Sequence, residues 1–137
     1  GNLFVAQFIG SPAMNVLPGL FQVDAGGAFV QAQGRRWPVA AGTLAAAGQK
    51  VHYGIRPGDL TLASQGVPAE VVVVEPTGAE TELLLKVSDE PDAEKLVMVM
   101  HGRTDAKPGD TVHLAIDVTK SHVFDSHSGQ RLAPSAA

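Results

Sequence analysis

An all-β fold of small closed barrels is the architecture this sequence predicts, and three features predict it. Turn signals arrive at short, regular intervals along almost the whole chain, the rhythm of many short strands. Apolar residues make up 45% of the chain but aromatics only 5%, so the core must be built from Val, Ala and Leu, which suits thin sheets and small barrels. Finally, the stretch from Gly48 to Arg56 aligns with that from Gly109 to Asp117, with Gly, Val, His and Ile coinciding at one constant offset. The coincidence is either chance among Val-rich strands or the record of two related strand units, each entered through a Gly turn. Closure of many short strands is how such domains avoid open sheet edges.

The elements follow in order. Phe4, Val5, Phe8 and Ile9 recur with the spacing of one apolar face, predicting a short N-terminal helix. Gly10 permits a left-handed cap and Ser11-Pro12 forbids continuation, so the chain turns a corner before Val16-Leu17 enters a sheet. The segments 19–23 and 28–32 alternate around Asp24-Ala25-Gly26-Gly27 and read as a hairpin. Trp37-Pro38-Val39 is a short edge piece, because Pro38 cannot donate to a ladder. Ala45 to Ala47 is too short, between Gly42 and Gly48, for a helix. A strand over 51–56 is ended by Pro57-Gly58-Asp59, with Leu60-Thr61-Leu62 beyond.

The strongest strand signal is 69–75, whose four consecutive valines read as buried on both faces or nearly so. Pro76-Thr77-Gly78 turns it and 81–87 returns, giving a second hairpin. Residues 88–95 form an acidic loop, 96–101 is a strand, and Lys107-Pro108-Gly109-Asp110 turns the chain into a strand over 112–118. A last pair of short strands, 122–124 and 130–132, flanks Asp125-Ser126-His127-Ser128-Gly129, and the tail 133–137 is expected to fray.

Composition narrows the function. A chain of 137 residues holds one domain or two very small ones and buries roughly two-thirds of its unfolded surface. The net charge is −4, with 10 basic and 14 acidic side chains scattered without blocks, so no nucleic-acid footprint is visible in the sequence. No run approaches the ~20 apolar residues of a membrane span. No signal-peptide pattern opens the chain. Zero cysteines exclude disulfides and thiolate metal sites, which fits a cytosolic protein. The start at Gly1-Asn2 without Met reads as a fragment or tag remnant.

The side chains capable of chemistry do not assemble into a catalytic pattern. His122, Asp125 and His127 fall within one turn, but zinc needs three or four converging ligands, and no metal is expected here. His52 and His113 lie in apolar strands and read as half-buried or exposed strand residues. No Gly-x-Ser-x-Gly elbow and no Gly-Lys-Ser/Thr phosphate loop occurs, so no catalytic residue and no bound cofactor is expected in this chain. Arg56, at a strand end beside Pro57, is suited to fork onto a carboxylate, and Glu80 is a candidate partner. Backbone amides around Pro76-Thr77-Gly78 offer a possible anion nest, which keeps open the alternative of a small oxyanion-binding module.

Four motifs stand in one order: Phe4-Val5-Ala6-Gln7-Phe8-Ile9-Gly10-Ser11-Pro12-Ala13-Met14-Asn15, Gly54-Ile55-Arg56-Pro57, Val73-Val74-Glu75-Pro76-Thr77-Gly78-Ala79-Glu80-Thr81, and His122-Val123-Phe124-Asp125 with Gly129-Gln130-Arg131-Leu132. The series resembles the C-terminal regulatory domain, of the transport-associated OB (TOBE) type, of sugar-type ABC importer ATPases, especially those for maltose and sn-glycerol 3-phosphate. One departure is Gly58-Asp59 where that family usually has Glu directly after Arg-Pro.

The resemblance implies OB-like barrels over 16–137, with 1–15 forming the junction from a missing nucleotide-binding domain that would hold ATP and Mg. It implies a cytoplasmic location on the inner membrane face, a homodimer, contact with the ATPase domain and the transporter's membrane subunits, and a regulatory protein as a further partner. Interface or regulatory residues expected on this basis are Phe8, Ser11, Pro12, Met14, Asn15, Arg56, Gly78 and Glu80. Such a domain biases the opening and closing of the ATPase pair without doing chemistry itself.

Overall fold

The computed structural model describes residues 12–132; the short helix expected over 4–9 and the tail 133–137 lie outside them. Ten strands form two five-stranded antiparallel sheets, and these give the all-β architecture the turn rhythm predicts. In the first, β10 (His122–Asp125), β4 (Lys50–Ile55), β1 (Asn15–Asp24), β2 (Gly27–Ala32) and β3 (Arg35–Pro38) lie side by side. In the second the order is β5 (Leu60–Ala63), β9 (Thr111–Ile116), β6 (Val67–Thr77), β7 (Glu80–Lys86) and β8 (Leu96–His101).

The two sheets are two copies of one plan, and the repeat in the sequence marks it. β4 and β9 hold the matching segments, and each is entered through a glycine with positive φ, Gly48 and Gly109. The entry hydrogen bonds are the same in both. Gly48 N–H donates to Phe21 O (2.7 Å) and Phe21 N–H to Gln49 O (2.9 Å); Gly109 N–H donates to Val71 O (2.8 Å) and Val71 N–H to Asp110 O (2.9 Å). Each strand then runs into a 3₁₀ turn, Pro57–Asp59 after β4 and Val118–Lys120 after β9.

Beyond those turns the copies exchange strands. β5, which follows β4, leaves the first sheet and pairs with β9, setting Leu62 opposite Leu114. β10, which follows β9, leaves the second sheet and pairs with β4, setting Val123 opposite Tyr53. Each sheet is thus completed by the last strand of the other unit. The long first strands serve two neighbours each: β1 pairs with β4 over 15–20 and with β2 over 20–24, and β6 pairs with β9 over 67–70 and with β7 over 70–77.

One hydrophobic core joins the units. Leu17, Phe21, Val30, Trp37, Val51, Tyr53 and Ile55 from the first sheet meet Leu60, Val71, Leu83, Leu85, Leu96 and Leu114 from the second. Trp37 and Tyr53 pack with ring centroids 5.5 Å apart. Their polar tips are satisfied by backbone: Trp37 Nε1–H donates to Ala32 O (3.0 Å) and Tyr53 O–H to Pro38 O (2.6 Å). Burial pushes the Tyr53 phenol well above its ordinary value. Trp37 sits on β3 at the sheet edge, where a strand containing Pro38 belongs.

Three sequence expectations need correction. The valine run is not uniformly buried: Val71 is fully buried, whereas Val72, Val73 and Val74 are half-buried. A bulge between Val71 and Val73 interrupts the pairing. The strand over 112–118 stops at Ile116, because Asp117 accepts from Thr119 N–H (3.0 Å) and caps the 3₁₀ turn. The segment 130–132 contributes only one isolated bridge, Phe124 to Arg131.

Candidate functional site

The residues singled out from the sequence fall in two places. Phe8 and Ser11 lie outside the described residues, and Pro12 is exposed where the described chain begins. Met14, Asn15 and Arg56 gather at one end of β1 and β4. Gly78 and Glu80 lie at the tip of the β6–β7 hairpin.

At the first place Asn15 acts as a bracket. Its side chain is buried at 6% exposure although it is polar. Nδ2 donates to Ile55 O (3.1 Å) and Val97 O (2.9 Å), while Oδ1 accepts from Val97 N–H (2.9 Å). The carboxamide thus pairs with β8 as a peptide group would, tying the start of the first sheet to an edge strand of the second. Next to it, the Met14 thioether lies over Gly54. A Cβ built on Gly54 would stand 2.4 Å from Met14 Sδ and 3.1 Å from Phe124 Cε2, so the missing side chain is what lets Met14 lie flat. Arg56 is exposed, and Pro57 behind it is buried.

Among the described residues no ion pair links Arg56 to Glu80; the ion pairs there are Arg36–Asp24 (2.6 Å) and Lys120–Asp59 (3.9 Å). Arg56 instead lies near His122. The His122 imidazole is held below its ordinary value by burial first, then by the charges of Arg131 and Arg56, with Asp59 acting the other way.

At the second place Gly78, at φ +68°, opens a two-residue turn between Thr77 and Glu80. Arg103, which nothing in the sequence distinguished, clamps this tip. Its guanidinium donates to Gly78 O (2.6 Å) and Glu80 O (2.9 Å), while Gly102 N–H donates to Ala79 O (2.8 Å) and Thr81 Oγ1 to Gly102 O (2.5 Å). The carbonyls of this turn are thus taken up by Arg103 and Gly102. Below it Glu82 stands opposite Glu75 across the strands, at 6% exposure. Burial first, then the charges of Glu75 and Glu80, raise the Glu82 carboxyl above the ordinary range.

Around the His122–Gly129 turn, Asp125 accepts from Ser128 N–H (2.7 Å) and Gln49 Nε2 (3.0 Å), which holds its carboxyl near 2. It closes a turn, and among the described residues no three His, Asp or Glu side chains converge on a metal position. An open groove of about 660 Å³ runs between β3 and the β6–β9 face, walled by Arg35, Arg36, Pro38, Gly66, Pro68 and Ile116. Arg35 also lines a neighbouring cleft with Ser88 and Asp89, and its buried Nε has no hydrogen-bond partner among the described residues. No helix of the described residues is long and apolar enough to cross a membrane.

Two five-stranded sheets, each completed by the last strand of the other unit, define an all-β, OB-like domain. Residues 10–60 match the MalK OB fold domain and residues 53–124 the TOBE domain, and the chain belongs to the TOBE domain family. It is homologous over most of its length to ABC transporter ATP-binding proteins. It is 41% identical over 132 residues to an uncharacterized ABC transporter ATP-binding protein, y4oS, of Sinorhizobium fredii, covering 96% of this chain and 34% of that protein. It is 37% identical over 132 residues to the sn-glycerol-3-phosphate import ATP-binding protein UgpC of Salmonella typhi, covering 94% and 36%. The chain thus spans about a third of the length of these relatives. Among solved structures it resembles the cytoplasmic molybdate-binding protein ModG with molybdate bound, at a TM-score of 0.62 and 16% identity, covering 80% of this chain and 94% of that one. That likeness concerns the fold.

Proposed function

We propose that the chain is the regulatory and dimerisation domain of the ATP-binding subunit of an ABC importer for a sugar or for glycerol 3-phosphate. The observation that carries this is the pair of domain matches, which together run from residue 10 to residue 124. The domain biases the opening and closing of a pair of ATPase domains by making different contacts in the two states, and it does no chemistry itself. In this reading ATP and Mg are held by the preceding nucleotide-binding domain. The subunit works on the cytoplasmic side as a peripheral, homodimeric part of a complex with membrane subunits, and a regulatory protein is a further partner. The test is to reconstitute the full subunit with its membrane subunits, with and without residues 12–132. Removal should leave nucleotide binding intact but weaken subunit pairing and the coupling of ATP turnover to solute. Unchanged pairing and coupling would refute the reading.

A second reading, a small oxyanion-binding module, is supported by Arg35 Nε, which lacks a hydrogen-bond partner among the described residues, beside an open groove in a fold shared with a molybdate-binding protein. Calorimetric titration with molybdate, sulfate, phosphate and glycerol 3-phosphate decides it. Saturable micromolar binding that Arg35→Ala abolishes supports the module, and flat traces retire it.

A further inference from the structure

The β2–β3 hairpin turns through two residues, Gln33 and Gly34, since Ala32 pairs with Arg35. Both have positive φ, +51° and +72°, the pattern of a tight hairpin turn that Asn-Gly usually fills. The glutamine makes a contact that glycine could not: Nε2–H donates to Glu94 O (3.0 Å), in the segment between β7 and β8. Only an N–H can face that carbonyl, so the carboxamide has one orientation and Oε1 is left over. Oε1 is buried without a hydrogen-bond partner among the described residues, and two residues on Arg35 Nε is in the same condition. Among the described residues these two atoms alone are buried side-chain donors or acceptors left unmatched. One is an acceptor and the other a charged donor, and each is costly to leave unpaired.

Both residues line one cleft of about 330 Å³, together with Ser88, Asp89 and Glu90. Arg35 also opens onto an adjoining pocket of about 140 Å³, where Lys86 and Glu70 join it. One unit thus supplies the turn and the other supplies the remaining walls. The polar groups are sorted by depth. Ser88 is buried and Gln33, Arg35 and Lys86 are half-buried, whereas Glu70, Asp89 and Glu90 are exposed. Ser88 Oγ accepts from Glu90 N–H (3.0 Å), which leaves its O–H to donate. The interior therefore holds two cations, a hydroxyl donor and one carboxamide acceptor, while carboxylates stand at the rim. Among the described residues none of these carboxylates forms an ion pair with Arg35 or Lys86.

We propose that this cleft is a site for a polyol monophosphate, a phosphate ester whose carbon chain carries free hydroxyls. The assignment rests on the oxyanion reading above and narrows it. The phosphate oxygens accept from Arg35, Lys86 and the Ser88 hydroxyl, charge-assisted bonds that suit a buried guanidinium. One hydroxyl of the chain donates to Gln33 Oε1, and the others face the rim carboxylates Asp89 and Glu90. A bare tetrahedral oxyanion answers only half of this set. Sulfate and molybdate have no hydrogen to give, so Gln33 Oε1 stays unpaired and the anion meets the rim carboxylates with no donor between them. A neutral polyol has the converse defect, because it brings no charge to Arg35.

The test is calorimetric titration of the full chain with glycerol 3-phosphate, inorganic phosphate, sulfate and glycerol, with amide NMR to locate the response. Glycerol 3-phosphate should bind about tenfold more tightly than phosphate or sulfate, the ratio that one added buried hydrogen bond supplies. Glycerol should be silent, and the shifted amides should be those of 33–35 and 86–90. Gln33→Gly separates the two halves of the site. Glycine accepts positive φ without steric cost, so the turn persists while Oε1 is lost. This variant should bring glycerol 3-phosphate down to the affinity of phosphate and leave phosphate itself unchanged. Arg35→Lys keeps the charge but removes Nε–H, and it should weaken every anion. An unchanged amide spectrum away from the cleft certifies the fold of each variant. Equal affinity for the ester and the bare anions, or a preference that survives Gln33→Gly, would overturn the polyol assignment and leave the oxyanion reading standing. Flat traces with every anion would mean a cleft filled by solvent alone and would retire both. Neither result bears on the transporter reading, which the reconstitution tests separately.

Discussion

Replacing Asn15 by alanine removes three hydrogen bonds that join the two sheets, and the cost can be worked from the structure. Each contributes a net ~1 kcal/mol when made, and a donor left unpaired in a buried site adds a desolvation penalty. Val97 N–H loses its acceptor, and the carbonyls of Ile55 and Val97 lose a donor at a position that is 6% exposed. The expected loss is about 3 kcal/mol. With a urea slope of about 1.5 kcal/mol per molar for a domain of this size, the midpoint should fall by roughly 2 M. The assay is urea unfolding followed by Trp37 fluorescence, which reports the core that both sheets share. Asn15→Asp sharpens the test. It keeps an acceptor for Val97 N–H but sets a negative charge against two carbonyl oxygens, so it should be at least as damaging as alanine at pH 7. It should recover on acidification, as the protonated acid regains one donor. A loss below about 1 kcal/mol for the alanine variant, or an aspartate variant as stable as the parent at pH 7, would refute the bracket.

Other consequences are equally direct. Gly66→Ala should abolish folding or cost more than about 3 kcal/mol, because φ is +143° and a Cβ would collide with the Leu114 carbonyl oxygen; thermal melts of soluble yield decide it. Glu82→Gln should stabilise the domain at pH 7 by about 0.5–1 kcal/mol by removing a charge opposed to Glu75. The folded-state value of Glu82 is raised, so its charged form destabilises above that value, and the gain should vanish as pH falls to the ordinary carboxylate range. Asp125 has the opposite sign. Its folded value near 2 lies below the unfolded 3.8, so its contribution is present above pH ~4 and is lost towards pH ~2; Asp125→Asn should flatten that limb of the stability profile. Arg103→Ala should speed amide exchange at the 77–81 hairpin tip while leaving the core amides protected.

The strands were legible because their cause is local. Turn residues such as Pro57-Gly58 and Lys107-Pro108-Gly109 punctuate the chain, and the Gly-Val-His-Ile coincidence marked β4 and β9 as equivalent because both strands meet the same neighbours. What stayed hidden depends on partners distant in sequence. Asn15 reads as one letter of a junction motif, and only the approach of β8 makes it a bracket. Arg103 carries no pattern at all, since its acceptors are carbonyls, which every residue has. The valine run misled because a bulge, not hydrophobicity, decides how its middle residues are shared.

The exchange of β5 and β10 carries a consequence for how the chain is made. On a ribosome the first sheet receives four of its five strands early, yet it waits for β10, the last strand of the described residues. The second sheet, begun later, already holds its borrowed β5 and closes as soon as β9 emerges. The half that is started first is finished last. A nascent chain stopped just before β10 therefore leaves β4 with an open edge, and a cut between β9 and β10 damages the sheet that β1 begins.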